Sequence, residues 1–212
     1  EDTESAAVVR ATRDMARADV VILVIDISHR PDQGDLFIAR QVLETAKPVI
    51  VALNKWDLVS SDEQAWARVE AVKRQLNRFT FAPFQVVSAQ QGRHVYDLLD
   101  RASAIHQSLQ QKIPKSRLVS LLKELCRERR MVTRDGKPFN LRFAHVETYR
   151  PLFINLHARS EERLRPSDEQ FLKKRLAEEL GLEGIPLFIK VSLAAGGREP
   201  RPAKPHGPRR NR

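Results

Sequence analysis

Asn54, Lys55 and Asp57, with Trp56 between them, have the residue types and spacing that read guanine. The Asp57 carboxylate can accept two hydrogen bonds, from guanine N1–H and from the exocyclic amine. Adenine offers neither, because its N1 is an acceptor and would face the carboxylate unpaired. A site built on such bonds rejects the wrong base strongly, since its own polar groups are left unsatisfied. The Lys55 stem can lie along the base plane. The Asn54 amide can reach the N7/O6 edge or tie neighbouring loops together. Downstream, Ser88 and Ala89 offer a hydroxyl and a backbone N–H that can cradle guanine O6. The blander alternative is two buried strands with ordinary polar exits.

Both sets need strand ends to hold them. The run Val49 to Leu53 is wholly apolar and reads as a strand buried on both faces, as in a parallel sheet. The tetrad then sits at the carboxyl end of that strand, where open α/β sheets bind ligands. The stretch Phe84 to Ser88 reads as a second such strand, and Ala18 to Asp26 as a third that ends in an acid. Asp19 and Asp26 bracket this last strand and read as structural. Helices are expected over 5–17, from a cap at Asp35 to about Ala46, from Ser60–Glu63 to about Phe79, and from about Val95 to Gln111. The third of these carries Trp66, Val69, Val72 and Leu76 as its apolar stripe, and the fourth Leu98, Leu99, Ala102 and Ile105. The order αβαβαβα calls for a parallel sheet.

Pro114 marks a change of pattern. Beyond it come a helix with Leu118, Leu121, Leu122 and Leu125, strands over 139–146 and 152–157, a helix over 167–180 and a strand over 185–191. This αββαβ order is a small α+β domain. The fold class is therefore α/β: a parallel sheet over residues 1–113, then an α+β domain over 114–192. Residues 193–212 are rich in Gly, Pro and Arg and read as a disordered basic tail.

Charge follows the same division. The 212 residues carry a net +10, but 1–113 hold 14 Lys/Arg against 15 Asp/Glu. Residues 114–192 hold 17 against 11, and 193–212 hold 6 against 1. A neutral ligand-binding half is thus joined to a half suited to a polyanion. RNA contacts are expected through Arg127, Arg129, Arg130, Arg134, Lys137 and the tail, as phosphate contacts without base readout. No DNA partner is expected. The spacing Gly181–Gly184 spells GxxG, a loop by which KH domains clamp nucleic acid. Here it precedes a strand and carries Glu183, so it reads as a helix cap plus a turn. The one cysteine, Cys126, excludes an internal disulfide and reads as a small buried hydrophobe. The six histidines show no metal-ligand spacing, and no metal site is expected. The longest apolar run, Val20 to Ile25, is too short to span a membrane.

This order of motifs resembles the Der (EngA) GTPases, which carry two tandem GTPase domains and a C-terminal KH-like domain. The resemblance rests on Ala18 to Asp26, on Asn54 to Leu58 with Trp inside the tetrad, and on Ser88-Ala89. It rests also on the Lys112–Pro114 junction and on Gly184 to Pro186 before the last strand. It covers residues 5–192 and implies the later part of the second GTPase domain, of P-loop type, followed by the KH-like domain. By resemblance the parent is a cytoplasmic bacterial GTPase that binds GTP and GDP and acts in assembly of the large ribosomal subunit. Mg²⁺ is expected only in the full-length parent.

The sequence also departs from that family. It contains no GxxxxGK[ST] phosphate loop, no switch threonine for Mg²⁺ and no Asp-x-x-Gly after a strand. It begins with Glu1, which implies processing or a longer parent, and the first three strands of a GTPase sheet are expected to be missing. Catalytic residues are therefore assigned to none of the 212 positions. The chain alone is expected to bind guanine nucleotide weakly and to hydrolyse nothing. Two roles stay open: part of a working Der-like GTPase, or a non-catalytic module that contacts ribosomal RNA and keeps a GTPase remnant as packing. A third family, the KH-bearing Era GTPases, would need a basic GxxG between helices.

Overall fold

A computed structural model describes residues 2–59, 61–159 and 163–194, with side chains from Arg10 onward except that of Asp62. Three strands, β1 (Val21–Asp26), β2 (Val49–Asn54) and β3 (Phe84–Val86), form a parallel sheet in the order β1-β2-β3. All the apolar residues of β2 are buried, as expected of a central strand covered on both faces. Helices α1 (Asp2–Arg17), α2 (Gln33–Glu44), α3 (Asp62–Gln75) and α4 (Val95–Gln110) alternate with the strands. Register pairs Asp26 with Asn54, so both polar ends leave the sheet side by side.

The odd-numbered residues Val21, Leu23, Ile25, Val49, Val51 and Leu53 face one core with α2 and α3. In α3 and its C-cap the buried positions are Ala65, Val69, Val72 and Leu76, separated by four, three and four residues. Trp66 lies one position off this stripe and is exposed; it packs edge-on against Trp56, ring centroids 5.5 Å apart. Leu99 is exposed for the same reason, since Leu98, Ala102 and Ile105 hold the packed face of α4. The cap of α2 is Asp32, not Asp35. The Asp32 side chain accepts the Asp35 N–H at 2.9 Å, and Asp35 returns the bond to the Asp32 N–H at 3.1 Å. Two acids three residues apart therefore close a capping box one turn earlier than expected.

The second half is built from α5 (Lys115–Glu128), β4 (Leu141–Tyr149), β5 (Leu152–Ala158), α6 (Pro166–Leu180) and β6 (Leu187–Leu193). Strand β5 is central, antiparallel to β4 and parallel to β6. Strand β6 runs two residues past its expected end, and residues 195–212 of the expected basic tail lie outside the described residues. Both helices cover one face of this sheet, the face of Leu152, Ile154, Leu156 and Ala158. Cys126 sits in that layer, half-buried beside Met131 Sδ at 3.7 Å. Burial pushes its thiol up to about 11, so it is an inert thiol.

The two halves share one core. Ile50, Ala52, Val87, Leu98 and Ile105 of the first half join Leu118, Leu122, Leu156 and Ile185 of the second in one cluster. Polar links reinforce it. The Val49 N–H donates to Gly184 O at 2.8 Å, the Gly184 N–H to Phe81 O at 2.8 Å, and the Ile113 N–H to the Tyr149 hydroxyl at 3.0 Å. Asp19, read from sequence as structural, pairs with Arg150 across the junction at 2.8 Å.

Candidate functional site

The tetrad turns sharply as it leaves β2. Lys55 adopts a left-handed backbone, φ +66°, and starts a 3-10 turn over Trp56–Leu58. That turn brings Asp57 back over the end of the sheet. There Asp57 Oδ1 accepts the Ser88 hydroxyl, while Ser88 itself is fully buried. The Ser88 Oγ in turn accepts the Gln91 N–H at 3.2 Å, and Ser88 and Arg93 exchange backbone bonds of 3.1 and 3.0 Å. The Ser88 hydroxyl, read from sequence as a contact to guanine O6, thus holds Asp57 in place. Asp57 stays partly exposed, and among the described residues its Oδ2 has no hydrogen-bond partner.

Asn54 ties loops together. Its Oδ1 accepts the Ala89 N–H at 3.0 Å and links the ends of β2 and β3. Trp56 is buried; its N–H donates to Val87 O at 3.3 Å, and its ring meets Trp66. Its part is to anchor the turn. Lys55 is exposed along its stem, and its ammonium reaches Asp26 at 2.6 Å, so the stem crosses from the end of β2 to the end of β1. The predicted residues Asn54, Lys55, Trp56, Asp57, Ser88 and Ala89 are therefore brought together at one edge of the parallel sheet.

Two further residues support this site: Asp26, read from sequence only as structural, and Arg68, which sequence reasoning missed. Asp26 accepts from Lys55 and from the Ser28 N–H at 2.8 Å, with His29 Nε2 at 3.4 Å. Partial burial pushes its carboxyl up, but the bonds from Lys55 and Ser28 outweigh that and hold it at about 2. Its position opposite Asn54 in the register was the available signal. The second support is Arg68 of α3, whose guanidinium donates to Ile27 O at 2.9 Å and also to Ser28 O. It fixes the loop that carries Asp26 onward, from 40 residues away in sequence, and no local pattern announces it.

The depressed Asp26 value has a definite sign. An unfolded aspartate titrates near 3.9. The Lys55 pairing therefore stabilises the fold fully above about pH 4, and its contribution fades as pH falls through about 2. A carboxyl NMR titration should show an Asp26 midpoint near 2. A midpoint near 4 would mean that Lys55 is not held there.

The basic candidates divide. Arg127 caps its own helix by donating to Lys123 O at 3.2 Å, and Arg130 and Arg134 are exposed. Lys137 pairs with Asp135 at 2.7 Å, and bonds from Lys137 and Thr133 hold the Asp135 carboxyl at about 2. Arg129 is a structural residue. It pairs at 2.8 Å with Asp168, which is buried and also accepts the Val132 N–H at 3.0 Å, and it lies 5.2 Å over the Phe171 ring. Arg129→Ala is expected to cost about 1–3 kcal/mol of stability. Removing one partner of a fully buried pair costs more, but this guanidinium is half-exposed. Denaturant unfolding checks the figure; an unchanged midpoint would show the pair to be idle.

The Gly181 to Gly184 segment is a helix cap and turn, as expected. Gly181 caps α6 at φ +65°, and Gly184 turns into the shared core at φ +76°. Among the described residues no cluster of three or more His, Cys, Asp or Glu could hold a metal ion, and no helix is long and apolar enough to cross a membrane.

Comparison with known proteins matches both halves. Residues 8–109 match the model of the elongation factor Tu GTP binding domain, and residues 112–191 the KH-domain-like C-terminal region of EngA bacterial GTPase enzymes. GTPase Der of Chloroflexus aggregans is 32% identical over 189 residues, which is 88% of this chain and 42% of that protein. GTPase Der of Pseudomonas putida F1 is 29% identical over 204 residues, 96% of this chain and 41% of that protein. The chain thus spans less than half the length of these relatives. A crystal structure of Era in complex with MgGDPNP and nucleotides 1506–1542 of 16S ribosomal RNA superposes with TM-score 0.41 at 18% identity, over 85% of this chain and 67% of that one.

Proposed function

The chain belongs to the Der (EngA) GTPase family, and from that premise we propose that it recognises guanine nucleotide through the Asn54–Asp57 tetrad and acts in assembly of the large ribosomal subunit in the cytoplasm. The observation that carries the nucleotide reading is the interlock at the sheet edge. Ser88 holds Asp57, Asn54 holds the Ala89 backbone, and Asp26 holds the Lys55 ammonium. Three side chains of the tetrad are preset before any ligand arrives, so little ordering is left for binding to supply. Asp57 accepts N1–H and the exocyclic amine, and the Lys55 stem underlies the base. Ribosomal RNA is the proposed partner of the basic second half.

The guanine end of a nucleotide fits these residues. The phosphate end would need a Gly-rich backbone cradle and a lysine, and the 212 residues contain no GxxxxGK[ST]. Phosphates supply much of a GTPase's grip on its nucleotide. We therefore expect weak GDP and GTP binding by this chain and no turnover, with hydrolysis and its Mg²⁺ belonging to a longer parent. A second reading, a non-catalytic ribosomal RNA module, has the shared core in its favour, since the GTPase-type half supplies one wall of the KH-like half's interior.

Calorimetric titration of the chain with GDP, ADP and GTP separates these readings. Weak GDP binding with no ADP binding supports guanine recognition. Equal binding of GDP and ADP, or none of either, leaves the module reading. GTP hydrolysis that Asp57→Ala abolishes would overturn the absence of catalysis.

A further inference from the structure

The sheet of the second half has helices on one face only, and its other face is lined with rings. Alternation along β4, β5 and β6 puts Phe143, His145, Phe153, His157 and Phe188 opposite the face that α5 and α6 cover. The three phenylalanines pack into neither hydrophobic core and are partly exposed. They are ordered all the same. Phe143 stacks on His157 at 4.1 Å and 10°, His157 on His145 at 5.1 Å and 21°, and Phe153 on Phe188 at 4.8 Å and 20°. The Lys115 ammonium lies 5.6 Å from the Phe143 ring centre. The acid on this face, Glu147, is paired with Lys190 at 3.4 Å.

Phe188 also lines a cleft of about 880 Å³ between the two halves. That cleft is lined by Arg78, by Lys173 and Lys174, which pair with Glu169 and Glu178, and by Arg129, which pairs with Asp168, with Phe81 and Phe171 on its walls. A cleft edged by cationic side chains that leads onto stacked rings is the combination that holds single-stranded nucleic acid: cations follow the phosphates and bases lie on π-faces. Residues 114–192 carry 17 Lys/Arg against 11 Asp/Glu, which fits a polyanion.

We propose that the open face of the β4-β5-β6 sheet is a base-stacking platform for single-stranded RNA, with Phe153 and Phe188 as its central rings and the interdomain cleft as the path of the phosphates. The proposal rests on the ribosomal RNA reading above and adds the place and the kind of RNA. It separates stacking from the phosphate contacts of Arg127, Arg130 and Arg134, which carry no ring.

The test is fluorescence anisotropy of a labelled 12-nucleotide oligouridine with the full chain across a salt series. The double variant Phe153→Leu, Phe188→Leu keeps apolar bulk and removes the π-faces. Its affinity should fall about tenfold or more, as loss of stacking on one or two bases does. The slope of log affinity against log salt should not change, because no counterion contact is lost. Phe188→Tyr should bind like the unaltered chain, and duplex RNA should not distinguish the variants. Arg78→Ala, on the cleft wall, should instead lower the salt slope. Unchanged affinity in the double variant overturns the platform while leaving RNA binding intact. Equal loss in Phe188→Tyr also overturns it, since that points to packing instead of stacking. No binding of any RNA by the unaltered chain defeats the RNA reading, and the platform with it.

Discussion

Asp57→Asn should abolish GDP binding by this chain and create binding of xanthosine diphosphate in its place. The carboxylate accepts two donors of guanine, and hydrogen bonds to a charged group are worth about 1.5–3 kcal/mol each. An asparagine keeps one acceptor and turns an N–H toward the exocyclic amine, so one bond is lost and a donor faces a donor. The expected penalty is about 3–5 kcal/mol, or roughly 100-fold to 5,000-fold in affinity. Xanthine carries a carbonyl where guanine carries the amine, and the asparagine N–H matches it. The fold should hardly notice the change. Asp57 is partly exposed, and the Ser88 hydroxyl can still donate to an amide oxygen at Oδ1. Paired titrations with the two diphosphates measure the switch, and an unchanged preference for GDP would remove Asp57 from base recognition.

The contrast between Asp57 and its neighbours shows what the sequence could carry. The strands were legible because each is a short apolar run with a polar exit, and β2 is apolar from Val49 to Leu53. The tetrad was legible because its chemistry lies within four consecutive residues. What holds it was not. The Ser88 hydroxyl clasps Asp57 from 31 residues away, a contact that the sequence reading did not anticipate. Asp26 and Arg68 support the site through contacts that depend on strand register and helix packing, which no local spacing encodes. The arginine cluster misled for a related reason. Arg127, Arg129 and Arg130 look alike in sequence, but only Arg129 finds a buried acid, Asp168, on the next helix. Stripes posed the same problem at Leu99, exposed beside the buried Leu98, and at Trp66, whose place on the packed face is taken by its neighbour Ala65.

The same distinction between local pattern and long-range contact sets the largest stability effect, at Gly184. From sequence it was the second glycine of a cap and turn and the first residue of the Gly184 to Pro186 run before the last strand. In the structure a Cβ on Gly181 meets nothing within 4 Å, whereas one on Gly184 would come 2.6 Å from Ile105 Cδ1 and 3.1 Å from Val49 O. Both glycines have positive φ, so either alanine variant bears the left-handed cost of about 1–2 kcal/mol. Only Gly184→Ala adds a clash. The Ile105 methyl could turn aside in open space, but this side chain is buried in the shared core. Val49 O cannot withdraw, since its residue is clamped to Gly184 O through a 2.8 Å bond and Gly184 is held to Phe81 O on the other side. Overpacking of that kind adds about 1–3 kcal/mol. Gly184→Ala should therefore cost about 2–5 kcal/mol and Gly181→Ala about 1–2 kcal/mol. For a chain of this size the former lowers Tm by roughly 5–15 °C. Because one hydrophobic cluster crosses the junction, the unaltered chain should unfold in a single transition, and Gly184→Ala should weaken both halves together. Equal losses from the two glycines would mean that the junction yields freely and that the halves are coupled more loosely than their common core implies.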